Sequence, residues 1–154
     1  MVGESQQLRV ATADVTIVSV VEHPTFSIIL PCFNEAGNIR ILIERIVEGF
    51  RNDSVELIFV DDGSNDGTLE LLEDFCRKYP FISVIKRPTL LGLGSALKAG
   101  FDAAKGDYLL SCDCDLPVPI EDVRKVADTI ATNTYDLVLG SRYLQGSFYE
   151  APNW

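Results

Sequence analysis

From Phe26 onward the chain alternates short apolar runs rich in β-branched residues with segments of helical period, whereas residues 1–14 follow neither pattern. The runs Phe26–Leu30, Glu56–Val60, Ile82–Lys86, Tyr108–Cys112 and Asp136–Leu139 predict strands covered on both faces. Val15–Val21 adds either an edge strand or part of an N-terminal arm over residues 1–25, ahead of one domain over residues 26–154. Between the strands, Ile39, Leu42, Ile43, Ile46, Val47 and Phe50 recur at the spacing of a single helix face. Leu69, Leu72, Phe75 and Cys76 mark a second helix, with Asp66 as its expected N-cap. Leu93, Ala96, Leu97, Gly100, Phe101 and Ala104 mark a third, whose small residues permit close approach to a sheet. Ile120, Val123, Ala127 and Ile130 mark a fourth, with Pro119 at its first turn and Glu121 and Asp122 suited to the helix dipole. Alternating strands and helices predict an α/β fold, a mostly parallel sheet with helices on both faces.

Ligands of such sheets bind beyond the carboxyl ends of the strands. The loops there read Pro31-Cys32-Phe33-Asn34-Glu35, Asp61-Asp62-Gly63-Ser64-Asn65-Asp66-Gly67, Arg87 to Gly94, Asp113-Cys114-Asp115 and Gly140-Ser141-Arg142. In Asp113-Cys114-Asp115 a two-residue period turns both carboxylates to one side and Cys114 to the other. Two such oxygen ligands suit Mg²⁺ or Mn²⁺, which keep several waters and complete their shell with substrate phosphate oxygens. The adjacent Asp61 and Asp62 repel each other unless a cation or a donor compensates, and a nucleobase N–H or a ribose hydroxyl is such a donor. A receiver-type phosphoacceptor pocket also opens with an acidic pair, but after its first strand, whereas here a strand and a helix come before it. Leu91-Gly92-Leu93-Gly94 opens the third helix, so its amides are expected to face an anion. Leu97 breaks the dinucleotide GxGxxG pattern, and no GxxxxGK[ST] loop is present. Arg142 is placed for bidentate phosphate contact. His23, beside Pro24, receives no catalytic role.

Composition narrows the ligand. The 154 residues are enough for one domain that buries about 70% of its unfolded surface. Thirteen Lys and Arg against 23 Asp and Glu give a charge of −10, which repels nucleic acid and anionic lipid surfaces. A polyanionic ligand therefore has to be held locally. Cys32, Cys76, Cys112 and Cys114 form no disulfide or zinc framework, and Cys112 and Cys114 read as small apolar residues of a buried strand. The thiols are compatible with a reducing cytoplasm. No apolar run is long enough to cross a membrane.

Taken in order, Ser27–Glu35, Phe59–Thr68, Leu91–Gly94, Asp113–Asp115 and Gly140–Tyr143 resemble the motifs of the family 2 glycosyltransferases, over about residues 26–146. Within them the likeness is to polyprenyl-phosphate sugar synthases of the dolichol-phosphate mannosyltransferase type. The resemblance implies a GT-A fold and an inverting, metal-dependent transfer of a hexose from GDP-mannose or UDP-glucose to a polyprenyl or dolichyl phosphate. It implies that Pro31, Phe33 (in place of a Tyr), Glu35, Val60 and Asp62 contact the nucleoside. Asp113, Cys114 and Asp115 match the metal and diphosphate segment, with Asp113 and Asp115 as metal ligands, and Arg142 matches a phosphate contact. Asp113, Asp115 and Arg142 are the expected catalytic residues. Pro117 stands where relatives offer another polar ligand, and Trp154 falls where the acceptor-binding part begins. The expectation is either a truncated donor-binding domain or one whose acceptor site a partner chain or oligomer supplies, working in the cytoplasm as a peripheral protein at the membrane face. The alternative is a non-catalytic nucleotide-sugar-binding or assembly module.

Overall fold

The computed structural model describes residues 7–10, 13–16, 23–115 and 118–141. Two short strands, β1 (Gln7–Val10) and β2 (Ala13–Thr16), pair antiparallel with Leu8 opposite Val15. β1 is not among the strands that the sequence pattern predicts. The sequence alternates polar and apolar residues over Gln7-Leu8-Arg9-Val10, a run too short to stand out from its surroundings. β2 pairs with β1 and not with the main sheet, and residues 17–21 of the expected edge strand lie outside the described residues.

The main sheet is parallel, in the order β5 (Ile82–Lys86), β4 (Val55–Asp61), β3 (Phe26–Cys32), β6 (Tyr108–Ser111). α1 (Ile39–Gly49), α2 (Thr68–Lys78), α3 (Leu93–Ala103) and α4 (Ile120–Ile130) fill the four predicted helical stretches. β3 is central and almost wholly buried, because α1, α2 and α4 cover one face and α3 the other. Phe26, Ile28, Leu30, Leu57 and Phe59 join Ile39, Leu42, Ile43, Ile46 and Phe50 in the larger core. On the opposite face Ile29 and Val60 meet Ala96. A Cβ added at Gly100 would lie 3.1 Å from Ile29 Cγ1, so the absence of a side chain lets α3 settle close to the sheet. The predicted stripe of α3 is wider than the buried one, since Leu93 and Phe101 are exposed. No second helix flanks α3 on this face among the described residues, so the edges of its stripe have nothing to pack against.

Three further expectations change. Residues 136–139 form no strand: none enters a ladder, and Leu137 and Leu139 are 72% and 77% exposed, because among the described residues no partner strand satisfies their backbone there. β6 stops at Ser111, although the Cys112 amide still donates to Ile29 O at 3.1 Å. The N-cap of α2 is Gly67, and Asp66 acts one residue earlier, its Oδ1 accepting the Thr68 amide at 3.0 Å. Among the described residues no helix is long and apolar enough to cross a membrane.

Candidate active site

Strands are added outward from β3 to β5, and the chain then returns to place β6 on the other side of β3. The order therefore reverses between β3 and β6, the point where an open α/β sheet forms its ligand crevice. The β3 loop and Asp113-Cys114-Asp115 border that crevice, and the β4 loop lies next to them.

The first two loops are braced by side chains. Asn34 holds a left-handed backbone, φ 59°, which Asn tolerates better than most residues. Its amide donates to Ser64 Oγ at 2.9 Å, and its Oδ1 accepts the Asn65 amide at 2.9 Å. The Glu35 amide donates to the buried Thr68 Oγ1 at 2.8 Å, and the Ala36 amide to Asp66 Oδ2 at 3.1 Å. The Thr68 hydroxyl holds the Asp66 carboxyl below its ordinary pKa against the opposing effect of burial, and the Ala36 and Thr68 amides add to the lowering. Phe33 stands exposed at the rim, Pro31 and Glu35 are half-buried, and Asn38 Nδ2 donates to Glu35 Oε2 at 2.6 Å.

The acidic pair after β4 is internal. Asp61 and Asp62 are 1% and 4% exposed. The compensation expected from a ligand comes instead from the protein: Asp62 Oδ1 accepts the Leu91 amide at 3.0 Å and lies 3.2 Å from Arg87 Nη1, while Oδ2 accepts the Gly92 amide at 2.9 Å. Asp61 Oδ2 accepts the Ser64 amide at 3.2 Å. Asp61 Oδ1 and Arg87 Nη1 are buried without a hydrogen bond, a condition that costs about 1–3 kcal/mol per group. The Leu91 and Gly92 amides, expected to face an external anion, thus face a carboxylate of the protein's own. Arg87 was not marked by any motif; its partner lies 25 residues earlier in the sequence, and only the parallel pairing of β4 with β5 joins them.

Asp113 and Asp115 are both exposed and Cys114 is 1% exposed, so the alternation read from the sequence holds although the backbone turns here. Neither carboxylate accepts a hydrogen bond or pairs with a cation among the described residues. Burial, then the charges of Asp113 and Asp115, push the Cys112 thiol up to about 11. The Cys114 thiol is also raised, first by its hydrogen bond with Cys32, then by burial and by the charges of Cys32 and Glu35. Glu35 and the Asp113–Asp115 loop therefore share one field. Val60 is fully buried under α3, so its side chain does not reach the rim. Arg142 and Pro117 lie outside the described residues. A groove of about 390 Å³ lined by Glu48, Gly49, Arg51, Asn52, Asp53 and Arg124 lies at the amino ends of the strands, away from these loops.

The two free carboxylates fit a divalent ion bound through few protein ligands. No three His, Cys, Asp or Glu side chains gather into a cage of their own among the described residues, so waters and substrate oxygens would complete the shell.

Comparison with known proteins agrees with this layout. The chain is 38% identical over 128 residues to a dolichol-phosphate mannosyltransferase of Pyrococcus furiosus, covering 83% of this chain and 35% of that protein. It is 36% identical to the dolichol-phosphate mannosyltransferase of Saccharomyces cerevisiae, covering 79% and 46% respectively. The chain thus spans less than half the length of both. The fold is GT-A, similar to that of a mannosyltransferase from Pyrobaculum calidifontis solved with GDP-Man and Mn²⁺ (TM-score 0.59, 22% identity, 71% of this chain and 33% of that one). Residues 27–150 match the model of Glycosyl transferase family 2, and with the ordered strand-end loops described above this chain belongs to that family.

Proposed function

We propose that this domain binds a nucleotide sugar, GDP-mannose or UDP-glucose, and serves an inverting transfer of its hexose to a polyprenyl or dolichyl phosphate. The observation that carries this reading is the pair of free, exposed carboxylates, Asp113 and Asp115, at the β3–β6 crevice, beside a loop whose Asp62 already has protein partners. The names of the curated relatives support the lipid phosphate acceptor.

Phe33, Pro31 and Glu35 stand where the nucleoside would rest, on a loop fixed by Ser64, Asp66 and Thr68. Asp113 and Asp115 would hold Mg²⁺ or Mn²⁺, which when bound offsets the charge growing on the departing nucleoside diphosphate. Arg142 is assigned to the same diphosphate, and Cys114 keeps the two carboxylates facing outward by packing inward. An acceptor phosphate monoester has a second pKa near ~6, so it attacks the anomeric carbon already ionised and needs no general base. A peripheral position at the cytoplasmic face of a membrane would bring such an acceptor within reach.

Calorimetry with GDP-mannose and UDP-glucose, with and without Mn²⁺, tests the donor half. Metal-enhanced binding of one of them is expected, and a folded sample that binds neither overturns the reading. Formation of lipid-linked sugar by the chain separates a catalyst from a module that only binds donor.

A further inference from the structure

We infer that Asn38 is a positioning residue, whose side-chain amide holds one oxygen of Glu35 and leaves the other for the nucleoside of the donor. The role toward the donor rests on the proposed function; the bond itself does not. Asn38 Nδ2 donates to Glu35 Oε2 at 2.6 Å, and Glu35 Oε1 accepts no hydrogen bond among the described residues. A carboxylate can only accept, so the amide has to present its nitrogen and not its oxygen. Glu35 lies three residues past β3, and its charge helps to raise the Cys114 thiol, so the carboxylate so held belongs to the same rim as Asp113 and Asp115.

The backbone does not need this bond. The turn into α1 is closed by the Asn38 and Ile39 amides, which donate to Glu35 O at 2.9 and 3.2 Å. The Glu35 amide is already held by Thr68 Oγ1 at 2.8 Å and the Ala36 amide by Asp66 Oδ2 at 3.1 Å. What the side-chain bond adds is the orientation of the Glu35 carboxylate. Nor does Asn38 serve α1 in the way its position suggests. It is the N-cap, where an Asn side chain ordinarily accepts an amide of the first turn from an extended backbone. Here it makes no such bond, and its backbone is helical, φ −101° and ψ −28°. A side chain diverted from its usual cap to a half-buried carboxylate gives up local helix chemistry for the site. Glu35 is then ordered before the donor arrives, so binding does not have to immobilise it.

Asn38→Asp separates this role from a structural one. Asp is as good an N-cap as Asn and suits the amino end of a helix, but its carboxylate has no proton to donate and repels Glu35. The variant should keep the wild-type melting temperature or exceed it. Binding of GDP-mannose or UDP-glucose with Mn²⁺, whichever the wild type takes, should weaken at least about tenfold. A variant that unfolds or melts clearly lower makes the bond structural, and unchanged affinity makes it idle; either result overturns the inference. Glu35→Ala completes a double-mutant cycle. Once the carboxylate is gone, adding Asn38→Asp should weaken binding no further, whereas the same loss in both backgrounds means that Asn38 acts elsewhere and overturns the inference. A ligand-free NMR readout stands apart from the donor: the Asn38 side-chain amide protons should exchange with water faster in Glu35→Ala than in the wild type, and equal rates overturn the inference. A wild-type chain that binds no sugar nucleotide sinks the proposed function, while this exchange comparison still decides the bond.

Discussion

Replacing Gly100 by Ala sets two effects of opposite sign against each other. Ala in a helix interior is favoured over Gly by about 0.8–1.0 kcal/mol, so propensity alone predicts stabilisation. The added Cβ, however, would stand 3.1 Å from Ile29 Cγ1 and 3.3 Å from Ile29 Cβ, and closer still to Cγ2, where ordinary contact begins at 3.4 Å. Ile29 is fully buried in the central strand, with β4 and β6 on either side, so α3 has to lift. Overpacking of this kind costs about 1–3 kcal/mol. Contact with the branch point, and not with a flexible tip, argues for the upper part of that range and a net loss of about 1–2 kcal/mol. Ile29→Val keeps both Cγ atoms and should not relieve it. Urea unfolding measures the change as a lower midpoint at constant m-value. Gly94→Ala is the control, because it lies in the same helix with nothing within 4 Å of the added carbon, and it should be neutral or stabilising. The loss should also reach function, since α3 begins just past the loop tied to Asp62, and a displacement of about 1 Å can lower activity by about 100-fold. If Gly100→Ala proves as stable as wild type, the close approach of α3 to the sheet is not what its glycine serves.

Other perturbations separate scaffold from site. Asp115→Ala should lower metal-dependent turnover by at least about 100-fold and remove the Mn²⁺ enhancement of donor binding. Its unfolding free energy should stay within about 0.5 kcal/mol of wild type, since the side chain is exposed, and a thermal scan beside the calorimetry checks both. Thr68→Val leaves the Glu35 amide without its acceptor and should cost about 1–3 kcal/mol, seen as a lower melting temperature. The pKa of Asp66 is depressed in the folded state, so its contribution to stability is present above the unfolded value of about 3.9 and fades as pH falls through the folded value. The stability difference between wild type and Asp66→Asn should therefore shrink on acidification below about pH 4, and a difference that grows there contradicts the assignment.

Much of the scaffold was legible because its signal is local. The six periodic positions Ile39, Leu42, Ile43, Ile46, Val47 and Phe50 declare α1 by their spacing alone, and all six are buried, while Ile41, off that stripe, is exposed. Residues 136–139 carry the same kind of apolar signal, but a strand also needs a neighbour to pair with, which no run of side chains reveals. The site divides along the same line. Asp113 and Asp115 were readable because alternation along one backbone decides where they point. The state of Asp62 depends on Arg87, Leu91 and Gly92, which reach it across a strand crossover. An acidic pair announces that compensation is needed, and only the fold says whether protein or ligand provides it.

That distinction bears on how an acidic domain would hold the diphosphate of the proposed donor. Of the four acids that end β4 and follow β6, Asp62 is neutralised by Arg87 and two amides, whereas Asp113 and Asp115 face solvent with no cation beside them among the described residues. Without a divalent ion, this exposed pair, together with Glu35 and a chain charge of −10, repels the donor's phosphates. With the ion, the net local interaction becomes attractive. Added salt screens either interaction over about 8–10 Å at physiological ionic strength. The salt dependence of donor binding should therefore reverse its sign. In chelator, affinity for GDP-mannose or UDP-glucose should be weak and rise with KCl; in saturating Mn²⁺ it should be strong and fall with KCl. Asp113→Asn/Asp115→Asn should lose the Mn²⁺ branch and bind less sensitively to salt in chelator than the wild type. A salt slope of the same sign in both conditions would show that the two carboxylates do not govern the approach of the diphosphate, whatever else they bind.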